Sequence, residues 1–151
     1  MQVEFFYQNN QHSYKKEAII TELCNCVSTF LELPDRIEVC LYNLGKSTYG
    51  GIDVAVPNRM GIDFELPYES LPKIVVHELI HIHQRKVGRL KISRDGSYFW
   101  CGVFFTKTPP EQMPFEEYRR LPWEVDVSVN EDRVLKEAIN ISLTRKNKPI
   151  E

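Results

Sequence analysis

Residues 71–88, with the sequence LPKIVVHELIHIHQRKVG, restrict the possible folds more than any other part of the chain. On a helical wheel with about 100° per residue, apolar side chains surround the axis except along one stripe. That stripe holds His77, His81 and Gln84. A helix that is apolar on nearly all sides lies in a protein interior, so the rest of the chain must pack around this segment.

The two histidines of this stripe, His77 and His81, have the spacing of metal ligands. Imidazoles one helical turn apart can both reach one ion at zinc–nitrogen distances of about 2.0–2.1 Å. Glu78 is offset around the helix axis, so its carboxylate can act as a general base on a water without binding the ion. The alternative is a core helix that merely contains histidine. The pair with a glutamate between, on an otherwise apolar helix, favours a metal. His83 lies on another face and is expected to support the ligands or to lie at the surface.

The third ligand is expected to be a carboxylate. Catalytic zinc usually has three protein ligands and a water, but no histidine follows residue 88, and His12 lies far upstream in a polar segment. On the wheel of the last predicted helix, Glu124 faces the core side and Asp126 faces away from it. Glu131 also faces inward and is the second choice. Glu124 can instead be an acid that the helix dipole favours at a helix start. A core-facing acid needs a partner, however, which favours the ligand role.

The remaining segments predict an α+β domain in which helices flank a small sheet. Alternation and turn residues predict the strands, and apolar residues at helical spacing predict the helices. The predicted strands are 1–7, 36–44, two short strands around a turn at 57–60, and 96–106 as one strand or half of a hairpin. The predicted helices are 14–33, 71–88, and a final helical region at 115–143 that breaks at Pro122.

The 151 residues are expected to form one domain, residues 1–151. The net charge of −2 predicts no affinity for nucleic acid or for an anionic membrane. The chain begins without a signal-peptide pattern and has no segment near the roughly 20 apolar residues that cross a bilayer, so we expect a cytoplasmic protein.

Residues 144–151 are polar and are expected to be a flexible tail, or alternatively a latency segment lying in the cleft. Four cysteines are expected to be small buried residues in a reducing compartment. They are Cys24, Cys26, Cys40 and Cys101.

HELIH, followed by the glutamate in YRRLPWEVDV at 118–127, resembles the zincin metallopeptidases. The resemblance is to the gluzincin branch, and especially to small zincin-like proteins of phage and prokaryotic genomes. It covers about residues 52–138. It implies that one zinc ion per chain is bound and that Glu78 is the general base. The implied zinc ligands are His77, His81 and Glu124.

The same resemblance implies a zincin-like fold. Such a fold has a small mixed sheet, the HELIH helix and a C-terminal helix that carries the glutamate ligand. An antiparallel edge strand lies above the metal and accepts the substrate peptide as a further strand. Residues 50–56 are the candidate for this edge. The residues expected to contact substrate are Gly51, Ile52, Val54 and Tyr118.

The resemblance leaves two roles unassigned, one of them because the chain departs from the pattern of the larger gluzincins. Those proteins carry an N-E-x-x-S-D pattern at the glutamate helix, and this chain does not. The acid that orients a ligand histidine is therefore unassigned, with Asp126 and Ser128 as candidates, although the wheel argues against Asp126. The donor that stabilises the transition state is also open between Tyr98 and Tyr118.

These features predict a zinc-dependent metallopeptidase that hydrolyses peptide bonds through a zinc-bound water activated by Glu78. The alternative is a catalytically silent zinc-binding module of the same fold that acts in protein interaction. The intact glutamate favours the enzyme, while the short chain, which leaves little material for a cleft, favours the module. A third option, hydrolysis of some other amide, uses the same chemistry. The expected partner is a peptide or protein substrate.

Overall fold

The computed structural model describes residues 1–8, 11–44 and 50–147. This part of the chain has an α+β architecture with two small sheets and four α-helices. The strands are β1 (Gln2–Tyr7), β2 (Arg36–Tyr42), β3 (Gly50–Ile52), β4 (Arg59–Asp63), β5 (Leu90–Ile92), β6 (Tyr98–Trp100) and β7 (Val103–Thr106). The helices are α1 (Tyr14–Val27), α2 (Leu71–Lys86), α3 (Phe115–Tyr118) and α4 (Pro122–Lys146), with a 3₁₀ turn at Pro110–Gln112.

The first sheet is mixed, as was expected from the resemblance to zincins. Its strand order is β1–β2–β4–β3, in which β1, β2 and β4 are parallel and β3 is the antiparallel edge. The helices α1 and α2 contact one another, and α4 contacts both. One apolar core joins these elements. Because β4 begins at Arg59, the last two residues of the turn predicted at 57–60 belong to a strand instead.

Helix α2 is the central element of this core. Apolar residues on two of its faces are buried: Val75, Leu79 and Ile82 on one face, each fully inaccessible to solvent, and Val76 and Ile80 on another. The helix ends as predicted, because Gly88 adopts a left-handed φ of 81° and the amide of Arg89 donates to the carbonyl of Gln84. The prediction of a buried helix around which the chain packs is confirmed.

The second sheet was not predicted as a separate unit. It is a three-stranded antiparallel sheet with the order β5–β6–β7. The predicted strand at 96–106 is in fact the β6–β7 hairpin, whose turn residues Cys101 and Gly102 have positive φ values of 51° and 83°. Cys101 is exposed at this turn, so the prediction that it is buried is wrong, whereas the other three cysteines are buried. The sheet packs on α4 through Tyr98, whose ring stacks on Trp123 at 5.4 Å between centroids.

Two helix ends differ from the predictions. Helix α1 stops at Val27 rather than at residue 33, because the hydroxyls of Ser28 and Thr29 donate to carbonyls of its last turn. The break at Pro122 is confirmed, but α4 continues to Lys146. Residues 144–146 of the predicted flexible tail thus belong to this helix, and residues 148–151 lie outside the described part of the chain. Within that part, no helix combines the length and the apolar character needed to cross a membrane.

Candidate metal centre

Three side chains from two helices meet at one point between α2 and α4. The cluster consists of His77 and His81 from α2 and Glu124 from α4, with ligand atoms that all lie within 4.8 Å of one another. The Nε2 atom of His81 is 3.0 Å from Oε1 of Glu124, and Nε2 of His77 is 3.4 Å from Oε2. The group can hold a metal ion. The structure thus brings together the three residues that the sequence predicts as ligands.

The position of Glu124 follows from the start of α4. Pro122 stands in the first turn of the helix, and the Glu124 amide donates to the carbonyl of Leu121. The next turns bury Val127 and Val134 in the core shared with α2. Glu124 therefore faces α2 and is only 6% exposed, which confirms the wheel-based prediction that it points to the core.

The carboxylate and the imidazoles stabilise each other's charged forms. Burial favours neutral His77, but hydrogen bonding to Glu124, the charge of Glu78 and the bond to Glu131 outweigh it and raise the pKa of His77 to about 9. Burial also opposes the charge on Glu124, yet the hydrogen bonds from His77 and His81 hold the pKa of this carboxyl well below its usual range. The protons on the two Nε2 atoms thus pair with Glu124 where a cation can replace them.

The donor set fits zinc. Two imidazole nitrogens and one carboxylate oxygen are the three-ligand set of a common class of catalytic zinc sites, which keep another position open for water. His81 and Glu124 are buried, whereas the side chain of His77 is 26% exposed. Solvent therefore reaches the cluster on the His77 side.

Glu78 lies beside the cluster without taking part in it. It is 5% exposed, and burial raises the pKa of its carboxyl despite the charges of His81 and His77. No donor among the described residues forms a hydrogen bond with its carboxylate, so both oxygens are available to a water. Strand β3 passes close by, because a Cβ atom added at Gly50 would lie 3.2 Å from Oε1 of Glu78.

A buried glutamine orients His81. The Nδ1 atom of His81 is 2.9 Å from Oε1 of Gln84, which is fully buried. An amide oxygen only accepts, so Nδ1 carries a proton and Nε2 faces Glu124. The Gln84 amide nitrogen in turn donates to Oδ2 of Asp126 at 2.8 Å and to the carbonyl of Trp123 at 3.0 Å.

Asp126 is therefore misplaced by the wheel, which predicts that it faces away from the core. Its carboxylate is partly buried and accepts from Gln84, because the long glutamine side chain reaches out from α2 to the flank of α4. Asp126 also pairs with Arg89 at 3.3 Å. Of the two candidates for the orienting acid, Asp126 acts through Gln84, whereas Ser128 is exposed. Sequence reasoning placed Gln84 on the histidine stripe but did not assign it this contact.

Glu131, the second choice as a ligand, orients His77 instead. Its Oε2 atom is 2.9 Å from Nδ1 of His77, on the side of the ring opposite Nε2, and Lys73 lies 3.7 Å from its other oxygen. A carboxylate accepts this bond, so Nδ1 of His77 carries a proton, and Nε2 points to Glu124. Each histidine of the cluster thus has its own acceptor.

The other histidines and the tyrosines take different positions. His12 is 43% exposed and pairs with Glu17, away from the cluster. His83 donates through Nδ1 to the carbonyl of Glu32 and contacts neither ligand histidine by hydrogen bond. The Tyr118 hydroxyl donates to Oε1 of Glu124 at 2.8 Å, and burial together with the Glu124 charge raises its pKa, so it remains a donor. Tyr98 belongs to the core beneath the second sheet.

The predicted substrate edge is shorter than expected. Gly51 and Ile52 lie in β3, but the strand ends there, and Val54 stands in a bend with 46% exposure. The cause is Asp53, whose Oδ1 accepts from the amides of Ala55 and Val56 and so turns the chain at Val54. Arg85 of α2 fixes the bend by donating to the carbonyls of Asp53 and Val54.

Comparisons with family models, with curated proteins and with solved structures find no match for this chain. The centre consists of two imidazoles, the Glu124 carboxylate that pairs with them, the Glu78 carboxylate beside them and an acceptor behind each imidazole.

Removing the acceptor behind His77 is expected to weaken metal binding. Glu131→Ala frees the His77 ring to rotate, and the zinc affinity should fall by about 10–100-fold, the usual effect of losing such a partner. Competition with a chromophoric chelator measures this affinity. Asp132→Ala is the matched control, because Asp132 is the next residue, also lies near Lys73 and is 87% exposed. Equal affinities of the two variants would contradict the orienting role of Glu131.

Proposed function

We propose that this protein is a zinc-dependent peptidase with Glu78 as its general base. The observation that carries the proposal is the Glu78 carboxylate, which is nearly buried and free of donors among the described residues, next to a three-ligand cluster. A site that only holds a metal for structural reasons has no use for such a group. Burying a carboxylate without a partner is unfavourable, so its presence supports a chemical role.

The zinc ligands would be His77 and His81, each through Nε2, and Glu124. When bound, zinc lowers the pKa of a water molecule and polarises the carbonyl of the scissile bond. Gln84 and Glu131 hold the two imidazoles in the tautomer that this ligation requires. We assign one ion per chain, because the described residues contain one such cluster.

Glu78 would move the proton during hydrolysis. As water attacks the peptide carbonyl, the carboxylate takes one water proton, and the resulting acid later gives that proton to the leaving amine. The products are one carboxylate and one amine, with no covalent intermediate on the protein. Burial raises the pKa of Glu78, so its carboxylate takes a proton from water more readily than an ordinary glutamate does. The resulting acid also keeps the proton until the leaving amine accepts it.

Strand β3 would bind the substrate backbone. It pairs only with β4 among the described strands, so one side of its backbone is free for an extended peptide. Its first residue, Gly50, lies against Glu78, which would bring a peptide paired with β3 close to the base. Hydrogen bonds from a strand backbone do not depend on the substrate's side chains, so this edge supports a peptide substrate.

A methyl group at Gly50 is expected to damage catalysis by pushing on Glu78. The added Cβ of Gly50→Ala would lie 2.9 Å from Cγ2 of Ile74 and 3.2 Å from Oε1 of Glu78, so a side chain must shift. A shift of this size at a catalytic group lowers kcat/KM by about 10–100-fold, while zinc content stays unchanged. In Gly51→Ala the new Cβ meets nothing within 4 Å, so its effect should be at least about tenfold smaller. Equal losses in the two variants would exclude the contact with Glu78 as the cause.

The proposal is tested by the zinc content of the purified protein and by cleavage of a peptide library. We expect one zinc per chain and cleavage that a chelator stops and added zinc restores. Zinc without cleavage would favour the silent binding module, and a parallel panel of non-peptide amides would reveal the third option. Absence of zinc would mean that α2 is a core helix that contains histidine.

A further inference from the structure

A cavity of about 280 Å³, lined in part by Asp126, lies where α2, α4 and the turn after α1 meet. Its apolar lining consists of Leu31, Ile80 and Val134, of which the last two are almost fully buried. Two guanidinium groups, those of Arg89 and Arg133, also line it. Apart from Asp126, which accepts a hydrogen bond from Gln84, no residue of the proposed peptidase centre lines this cavity.

The charges that line the cavity do not cancel. Arg89 pairs with Asp126 at 3.3 Å, so one positive charge is matched. Arg133 donates only to the neutral amide oxygen of Asn130 at 3.1 Å, and no carboxylate among the described residues lies within ion-pair distance of it. A guanidinium group has five N–H donors, so both arginines retain donors beyond these contacts. One excess positive charge thus lines the cavity and can be neutralised by one anionic group.

The size and the apolar lining determine what else the ligand contains. At about 30 Å³ for each water-sized group, the cavity holds roughly nine non-hydrogen atoms. Inorganic phosphate would leave the apolar residues uncovered. A carboxylate is planar and matches the two parallel N–H groups of a guanidinium, and a short aliphatic group attached to it would cover Leu31, Ile80 and Val134.

We propose that this cavity binds a carboxylate that carries a short branched aliphatic group, with Arg133 and Arg89 holding the carboxylate. Two sources have this chemistry: a free small acid and the C-terminal residue of a peptide chain. A leucine residue with its free carboxylate has both parts and the right size. The site depends on neither the zinc ligands nor Glu78.

The test is isothermal titration calorimetry with N-acetyl-leucine as the probe and N-acetyl-leucinamide as its uncharged match. We expect the acid to bind at least tenfold more tightly than the amide. Arg133→Met should weaken binding of the acid at least tenfold, because it removes the unmatched charge and keeps the apolar stem. Lys136→Met, a charge removal at an exposed position of the same helix, should bind like the unmodified protein. Circular dichroism and the thermal midpoint verify that both variants are folded.

Three results would overturn the proposal: equal binding of acid and amide, no binding of the acid at millimolar concentration, or unchanged binding in Arg133→Met. Acetate binding as tightly as N-acetyl-leucine would exclude the aliphatic part. A hexapeptide that ends in leucine, titrated into the Glu78→Gln variant so that it is not cleaved, separates the sources. Tighter binding of the hexapeptide than of N-acetyl-leucine, weakened at least tenfold when Arg133→Met is added so that binding at β3 is excluded, assigns the site to a chain terminus. Weaker or equal binding assigns it to a free acid.

Discussion

Glu78→Gln is expected to reduce kcat for peptide hydrolysis by at least about 10³-fold, within the range that general acid–base groups contribute. Glutamine has nearly the same shape as glutamate but cannot take a proton from water. Among the described residues, no donor relies on the Glu78 carboxylate, so the substitution breaks no hydrogen bond there. Steady-state rates with the best substrate from the peptide library give kcat, and the same preparations give the zinc content, which should remain at one ion per chain.

The control for this substitution is Glu69→Gln, which removes an exposed carboxyl just before α2 and should leave kcat unchanged. A Glu78→Gln variant that retains zinc and more than a tenth of the activity would exclude Glu78 as the base. Loss of zinc from that variant would instead show that Glu78 is a ligand. These two outcomes are distinguishable because rate and metal content are measured on one sample.

Glu124→Ala is expected to lower the zinc affinity by more than 100-fold, beyond the range found for residues that only orient ligands. The substitution removes one of the three proposed ligands and leaves His77 and His81. It also removes the carboxylate that pairs with both imidazoles. Chelator competition measures the affinity. The metal-free variant should also unfold at a lower temperature, because buried His81 and partly buried His77 both lose their acceptor.

Two further variants separate ligand loss from a failure to fold. Glu124→Gln keeps the size of the side chain and an acceptor oxygen while removing the charge, and it should still lose most of the zinc affinity. Glu137→Ala removes an exposed acid from the same helix and should bind zinc like the unmodified protein. If Glu124→Ala binds zinc as tightly as Glu137→Ala, then Glu124 is an acid of the helix start and not a ligand.

The parts of the centre that could be predicted depend on local periodicity. The spacing of His77 and His81 on an apolar helix, and the side of α4 on which Glu124 lies, follow from 3.6 residues per turn. These features are set within one helix, so they survive folding unchanged. The break at Pro122 was also predictable, because a proline marks it, whereas the mixed sheet with its antiparallel edge was expected only from the resemblance to zincins.

The parts that could not be predicted depend on how far side chains and loops reach. A helical wheel gives the direction in which Asp126 points from the axis of α4. It does not show that the side chain of Gln84 extends from α2 far enough to contact Asp126. The end of β3 before Val54 is set by Asp53 and Arg85, which act across the sheet and the helix. The second sheet was missed because β5 has only three residues and its pairing with β6 is a tertiary contact.

The division of the ligands between α2 and α4 makes a bound ion a cross-link between two elements that are distant in the chain. An unfolded chain cannot keep these three side chains together, so zinc would bind the folded state preferentially. The free energy of unfolding would then rise by about 1.4 kcal/mol for every tenfold increase in free zinc above the dissociation constant. Under metal limitation the protein would lose folding stability and peptidase activity together, so its abundance in a cell would follow the zinc supply.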